Sequence, residues 1–247
     1  MAKIDRKKLL KEPDEFLTLS DRAVRLSKLH LRKLMVLASV LAAAVAAILG
    51  IQTYLGYRGD QASQAMGQVF MAYAATLSEQ ATPEQIDQAI KGLSQVVDQY
   101  GATDAGMQAR LALGDLMLRK GDPERAEQVF SALAEEPDLP AELAPLAQAG
   151  AGHSQEARKK YAEAAEAYGA AAKASGPYQA PLYRLDQARV LLAAGQKQQA
   201  EGLYRDLLKQ TQDQAIAQAA RQNLVAMGLE TDPPTAAPPE AAPPAGK

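Results

Sequence analysis

The stretch ALGDLMLRKGDPERAEQVF, residues 112–130, is an apolar helical pattern interrupted by Gly-Asp-Pro and resumed at once as a second helix. Gly114 precedes Ala126 by twelve positions, and the aromatic Phe130 follows four later. The same spacing recurs as Gly152, Ala164 and Tyr168, and again as Ala188, Ala200 and Tyr204. Offsets of 38 and 36 residues between the copies make this an internal repeat. The interval carries the chain up one helix, through a short turn and into the next. Small residues there allow helices to approach closely, and the aromatic fills the space between adjacent units. Each hairpin alone leaves an apolar face bare, so the units are expected to stack.

Composition agrees. The chain of 247 residues is 47% hydrophobic but only 5% aromatic, and much of the apolar content is alanine, the best helix former and the smallest core side chain. An all-α fold is expected. The absence of cysteine excludes disulfides, thiolate metal sites and a cysteine nucleophile. A formal net charge of −2 hides an asymmetry: residues 1–33 hold ten Lys and Arg against five Asp and Glu, so the remainder sums to −7. That acidic body argues against nucleic acid as a partner.

The recurring residues resemble the tetratricopeptide repeat. Leu113, Gly114, Met117, Ala126 and Phe130 match its pattern, as do Gly152, Tyr161, Ala164, Tyr168 and Ala171, then Leu191, Gly195, Ala200 and Tyr204. A weaker copy precedes them around Ala89. The chain departs from the pattern in lacking tryptophan, in placing Ala188 at the first small position of the third copy, and in placing Lys159 where the second copy's turn glycine belongs. The resemblance covers roughly residues 65–228 and implies an all-α, tetratricopeptide-like helical-hairpin solenoid. A last helix at about 212–227, closed by Gly228, is expected to cap the stack. The Pro/Ala-rich residues 229–247 are expected to form a disordered tail.

Leu34 to Ile51, LMVLASVLAAAVAAILGI, carries no charge and one polar side chain, Ser39. At about 1.5 Å per residue these eighteen residues reach about 27 Å, close to a bilayer's hydrocarbon thickness. Arg32 and Lys33 before it and Tyr54 and Tyr57 after it suit the two interfaces, and the basic head predicts a cytoplasmic N-terminus. A cleaved signal peptide is the competing reading; the long leader and long apolar run weigh against it. Ala38, Ala42, Ala46 and Gly50 form a small-residue stripe, which suits either helix association or a plain alanine-rich anchor. In the leader, Pro13, Asp14 and Glu15 suit a helix start, and Phe16, Leu19, Ala23 and Leu26 share one face. That face suits the membrane surface or a cytoplasmic partner.

The expected organisation is therefore a cytoplasmic basic head with an amphipathic helix (1–33), a transmembrane anchor (34–55), a repeat domain (56–228) and the tail (229–247). This layout is similar to the ancillary subunit of the bacterial Sec translocon and its relatives. The resemblance implies an inner-membrane, single-pass protein with periplasmic repeats, binding translocon subunits, exported chains or periplasmic chaperones.

Chemistry is not indicated. The two histidines, His30 and His153, do not make a metal cluster, and no nucleotide-binding or hydrolase motif is present. Glu135/Glu136 and Glu163/Glu166 read as solvated helix faces. The chain is expected to be a non-enzymatic adaptor without catalytic residues, metal or cofactor. By the resemblance, the wall facing the groove comprises Gln108, Leu111, Asp115, Leu118 and Arg119, then Leu146, Ala149, His153 and Glu156, then Leu182, Leu185, Arg189 and Leu192. The Lys/Asn clamp for a terminal carboxylate is missing, so an apolar segment or amphipathic helix suits this wall. Two alternatives stay open: these leucines fill a closed stack, or the domain forms homo-oligomers as a self-assembling structural envelope protein.

Overall fold

The computed structural model describes residues 15–78 and 80–229, with side chains from Leu31 onward. The described residues form helices without strands: α1 (Glu15–Ala75), α2 (Pro83–Tyr100), α3 (Asp104–Arg119), α4 (Pro123–Ala134), α5 (Ala144–Ala157), α6 (Tyr161–Ala174), α7 (Ala180–Ala193), α8 (Lys197–Gln210) and α9 (Gln214–Ala226). Pro13, Asp14 and the expected tail from Glu230 onward lie outside the described residues, as do the side chains of Phe16, Leu19, Ala23, Leu26 and His30.

Backbone contacts divide the chain into two units, between Tyr57 and Arg58. In the first, α1 presents an exposed apolar surface from Leu31 through Tyr57. Leu31–Ala75 is long and apolar enough to cross a membrane, with an eighteen-residue window of mean hydropathy 2.7 and nothing buried. Ser39, within the apolar run, turns its hydroxyl back onto the Met35 carbonyl at 2.6 Å and so satisfies its own donor.

In the second unit the end of α1 and the eight later helices pack as consecutive hairpins. Helix starts follow local chemistry. Thr82 and Gln85 form a capping box on α2, and Thr103, Asp122 and Asp213 cap α3, α4 and α9 through their side chains. Prolines 83, 123, 145 and 181 occupy first-turn positions, where a missing N–H costs nothing.

The turn inside each hairpin is the same structure three times over. Gly121, Lys159 and Gly195 have φ of 83°, 60° and 80°, and each is followed by a residue whose N–H reaches back five positions. The pairs are Asp122 to Met117, Lys160 to Gln155 and Gln196 to Leu191, all at 2.8–2.9 Å. This is the Schellman arrangement, and its left-handed residue is ordinarily glycine. Lys159 therefore keeps the turn of its sister hairpins at a conformational cost. Its neighbours Arg158 and Lys160 both pair with Glu127 of α4, which fastens the turn to the preceding hairpin. Replacing Lys159 by glycine is expected to raise stability by about 1 kcal/mol, because it relieves the left-handed penalty and leaves both ion pairs. Denaturant unfolding in detergent measures this; a loss would contradict the reading of the turn. Gly228, φ 78°, closes α9 in the same way, with the Leu229 N–H on the Leu224 carbonyl.

The small residues meet the aromatics. A Cβ on Gly114 would lie 2.5 Å from the Phe130 ring, and one on Gly150 of the next hairpin would also lie 2.5 Å from it. The ring is thus held between two glycines, one from its own hairpin and one from its neighbour. At Gly114 the space a Cβ would need is taken by the Phe130 ring. Gly152 bears similarly on Tyr168, at 3.1 Å. In the third copy Ala188 and Tyr204 are both fully buried in one cluster with Tyr168, Leu207, Ile216 and Leu224. A second cluster joins Leu93, Val96, Leu113, Leu116 and Phe130 to the end of α1 through Met66, Val69 and Tyr73.

Candidate functional site

The first helices of successive hairpins, α1, α3, α5 and α7, together line an open concavity of about 510 Å³. Its apolar part is built by Met66, Leu111, Leu118 and Leu146, and Tyr73, Phe130 and Tyr183 also line it. Burial, and secondarily the charge of Asp115, raises the Tyr73 hydroxyl above the usual tyrosine range, so it stays a neutral hydrogen-bonding group.

Of the residues expected on the wall, Gln108, Leu111, Asp115, Leu118, Leu146, Ala149 and His153 line this concavity. Arg119 is exposed beside it, paired with Asp115 at 2.9 Å and donating to the Thr76 carbonyl at 3.2 Å. The leucines fall into two groups. Leu111, Leu118, Leu185 and Leu192 are half-buried and pack against core clusters, whereas Leu146 and Leu182 are 46% and 50% exposed. Serine at Leu111, Leu185 or Leu192 would therefore remove core contacts along with wall surface. Leu146 and Leu182 are the positions at which recognition separates from folding.

Glu156, Leu182, Leu185, Arg189 and Leu192 are not in the concavity's lining, and Arg189 and Glu156 pair with each other outside it. The Arg189 guanidinium binds both Glu156 oxygens, at 2.9 Å to Oε2, and reaches Asp186 Oδ1 at 3.1 Å. Tyr168 is fully buried, and its hydroxyl lies 2.7 Å from His153 Nδ1 and 3.1 Å from Glu156 Oε2. A hydroxyl has one hydrogen to give. With the imidazole hydrogen on Nδ1 donated to the phenol oxygen, the hydroxyl donates onward to Glu156. The hydrogen bond from Arg189 holds the Glu156 carboxyl below the usual glutamate range despite partial burial. Burial and the Glu156 and Asp186 charges push the Tyr168 hydroxyl far above its usual range. The group is thus a fixed clasp of an ionised carboxylate, a guanidinium and a neutral phenol, tying α5 and α6 to α7. Tyr204, the next aromatic of the repeat, buries a hydroxyl that has no partner among the described residues.

Met66, Tyr73 and Tyr183 were not among the expected wall residues. Met66 and Tyr73 belong to α1, whose register against the repeats carries no motif. The polar clasp had a signal: the repeat position that is Phe130 in the first copy is tyrosine in the next two, and a buried hydroxyl favours partners, which Tyr168 finds and Tyr204 does not among the described residues. Among the described residues, no group of three or more His, Asp or Glu is arranged to hold a metal ion.

Consecutive antiparallel hairpins, with first helices lining one concavity and aromatics wedged between units, define a helical-repeat solenoid. The chain belongs to the tetratricopeptide repeat family, whose model matches residues 84–140 and 149–215. Among solved structures it is similar to the nearly identical TPR-like repeats of a Podosopora anserina kinesin light chain. The similarity has 16% identity and a TM-score of 0.50, covering 70% of this chain and 86% of that one. That match is to a single-substitution variant of the repeats; the unsubstituted repeats match equally, with 87% of their chain covered. No curated protein matches.

Proposed function

We propose that the chain is a membrane-anchored scaffold whose solenoid binds segments of other proteins in the concavity lined by α1, α3, α5 and α7. The observation that carries this reading is the exposure of Leu146, at 46%, within the concavity, with Leu182, 50% exposed, standing next in sequence to Tyr183 of its lining. Large apolar side chains on a concave wall are what a superhelix uses to hold an apolar or amphipathic segment. The role is binding and not catalysis, in keeping with the family's general use as a protein-interaction scaffold.

The anchor is the apolar run of α1, whose exposed side chains from Leu34 to Ile51 would be costly in water and are matched to hydrocarbon. The excess of Lys and Arg in residues 1–33 favours an N-terminus in the cytoplasm and repeats outside it, in the periplasm of a double-membraned bacterium. In that setting the layout supports work beside an export or envelope-assembly machine, as for the ancillary Sec translocon subunit that it resembles.

A Leu146→Ser/Leu182→Ser double variant tests the binding. It is expected to fold with unchanged helix content and to lose at least about tenfold in partner crosslinking, as for loss of two central apolar anchors. Unchanged crosslinking by the folded variant would refute the concave wall as the binding surface. Adducts made only with further copies of the chain would instead establish the self-assembling role.

A further inference from the structure

We infer that the segment held by this wall is apolar and carries a lysine or arginine, seated next to its apolar residues; this rests on the concave-wall reading. Along α5 the residues Leu146, Ala149, His153 and Glu156 follow one another at three- and four-residue steps, so they form a line on one helix face. The line begins apolar, passes through His153, and ends on a carboxylate at the negative end of the helix dipole. A segment lying on Leu146 and Ala149 meets Glu156 one turn past His153.

The cations of this wall are already engaged. Arg119 is held by Asp115 and the Thr76 carbonyl, and Arg189 by both oxygens of Glu156 and by Asp186. Three carboxylates, Asp115, Glu156 and Asp186, thus face two guanidiniums, and an incoming carboxylate finds no open cation among them. An incoming cation finds Asp186, which gives Arg189 only Oδ1 among the described residues. The surrounding field has the same sign: residues 58–229 hold sixteen Lys and Arg against twenty-one Asp and Glu, which speeds encounter with basic segments and disfavours acidic ones.

The test selects a random short-peptide library against the full chain in lipid nanodiscs. Selected peptides are then compared with their Lys→Gln and Lys→Glu forms by fluorescence anisotropy. The expected selection is Leu, Ile, Phe or Met beside Lys or Arg. Lys→Gln should weaken binding about tenfold, close to the lower end of the range for a close interfacial charge pair. Added salt should weaken the lysine peptide and spare its glutamine form. Asp186→Asn, checked for unchanged helix content, should make the two forms bind alike. Charge-blind or acidic peptides that still lose binding in Leu146→Ser would overturn this inference while the concave wall stands. Peptides indifferent to Leu146→Ser, or no selection at all, would overturn both.

Discussion

Replacing Phe130 by alanine is expected to destabilise the solenoid by about 3–5 kcal/mol, the range for emptying a buried aromatic site. The ring fills the gap between two hairpins and touches glycines of both, so its loss opens a cavity that neither hairpin can close alone. The partner substitution has a sharper sign. An alanine in place of a helical glycine ordinarily stabilises by up to about 1 kcal/mol. At Gly150 the added methyl would stand 2.5 Å from Phe130 Cδ1, so Gly150→Ala is expected to lose about 1–3 kcal/mol instead. With Phe130 also reduced to leucine, part of that loss should return, and a double-mutant cycle in denaturant measures the coupling. Gly150→Ala that stabilises would show that the ring does not sit between the glycines.

Leu224→Ala in the capping helix is expected to cost about 2–4 kcal/mol at its own end of the stack and little at the other. Leu224 is fully buried and α9 covers the face of the last hairpin together with Ile216 and Ala220, while each unit of such a stack contacts only its neighbours. Amide exchange should therefore quicken in α8 and α9, by about thirtyfold or more, with α3 to α5 nearly unchanged. Equal acceleration throughout the solenoid would mean that the repeats unfold as one block.

The repeat was legible because its spacing encodes a contact. Gly114 and Phe130 stand sixteen residues apart and touch, and Gly121 and Gly228 mark turns by chemistry that operates locally. Gly150 was missed as a partner of Phe130 because its contact crosses to the next hairpin, outside the register that the motif follows. Lys159 was legible as a departure, but its left-handed backbone follows from the hairpin geometry, which overrides the preference of the side chain. The wall leucines were legible as a set and not individually. Leu182 and Leu185 lie one helical turn apart, yet one is exposed and the other packed, because tertiary neighbours and not helical phase decide which is covered.

The most direct measurement of binding in the concavity is a photo-crosslinking scan in intact cells. A photoreactive residue is placed in turn at Gln108, Leu146, His153 and Leu182 on the wall, and at Glu163, Glu166, Gln198 and Arg205 on the second helices. Adducts with another protein are expected from the wall positions and none from the second helices. Adducts confined to α6 and α8 would contradict binding in the concavity.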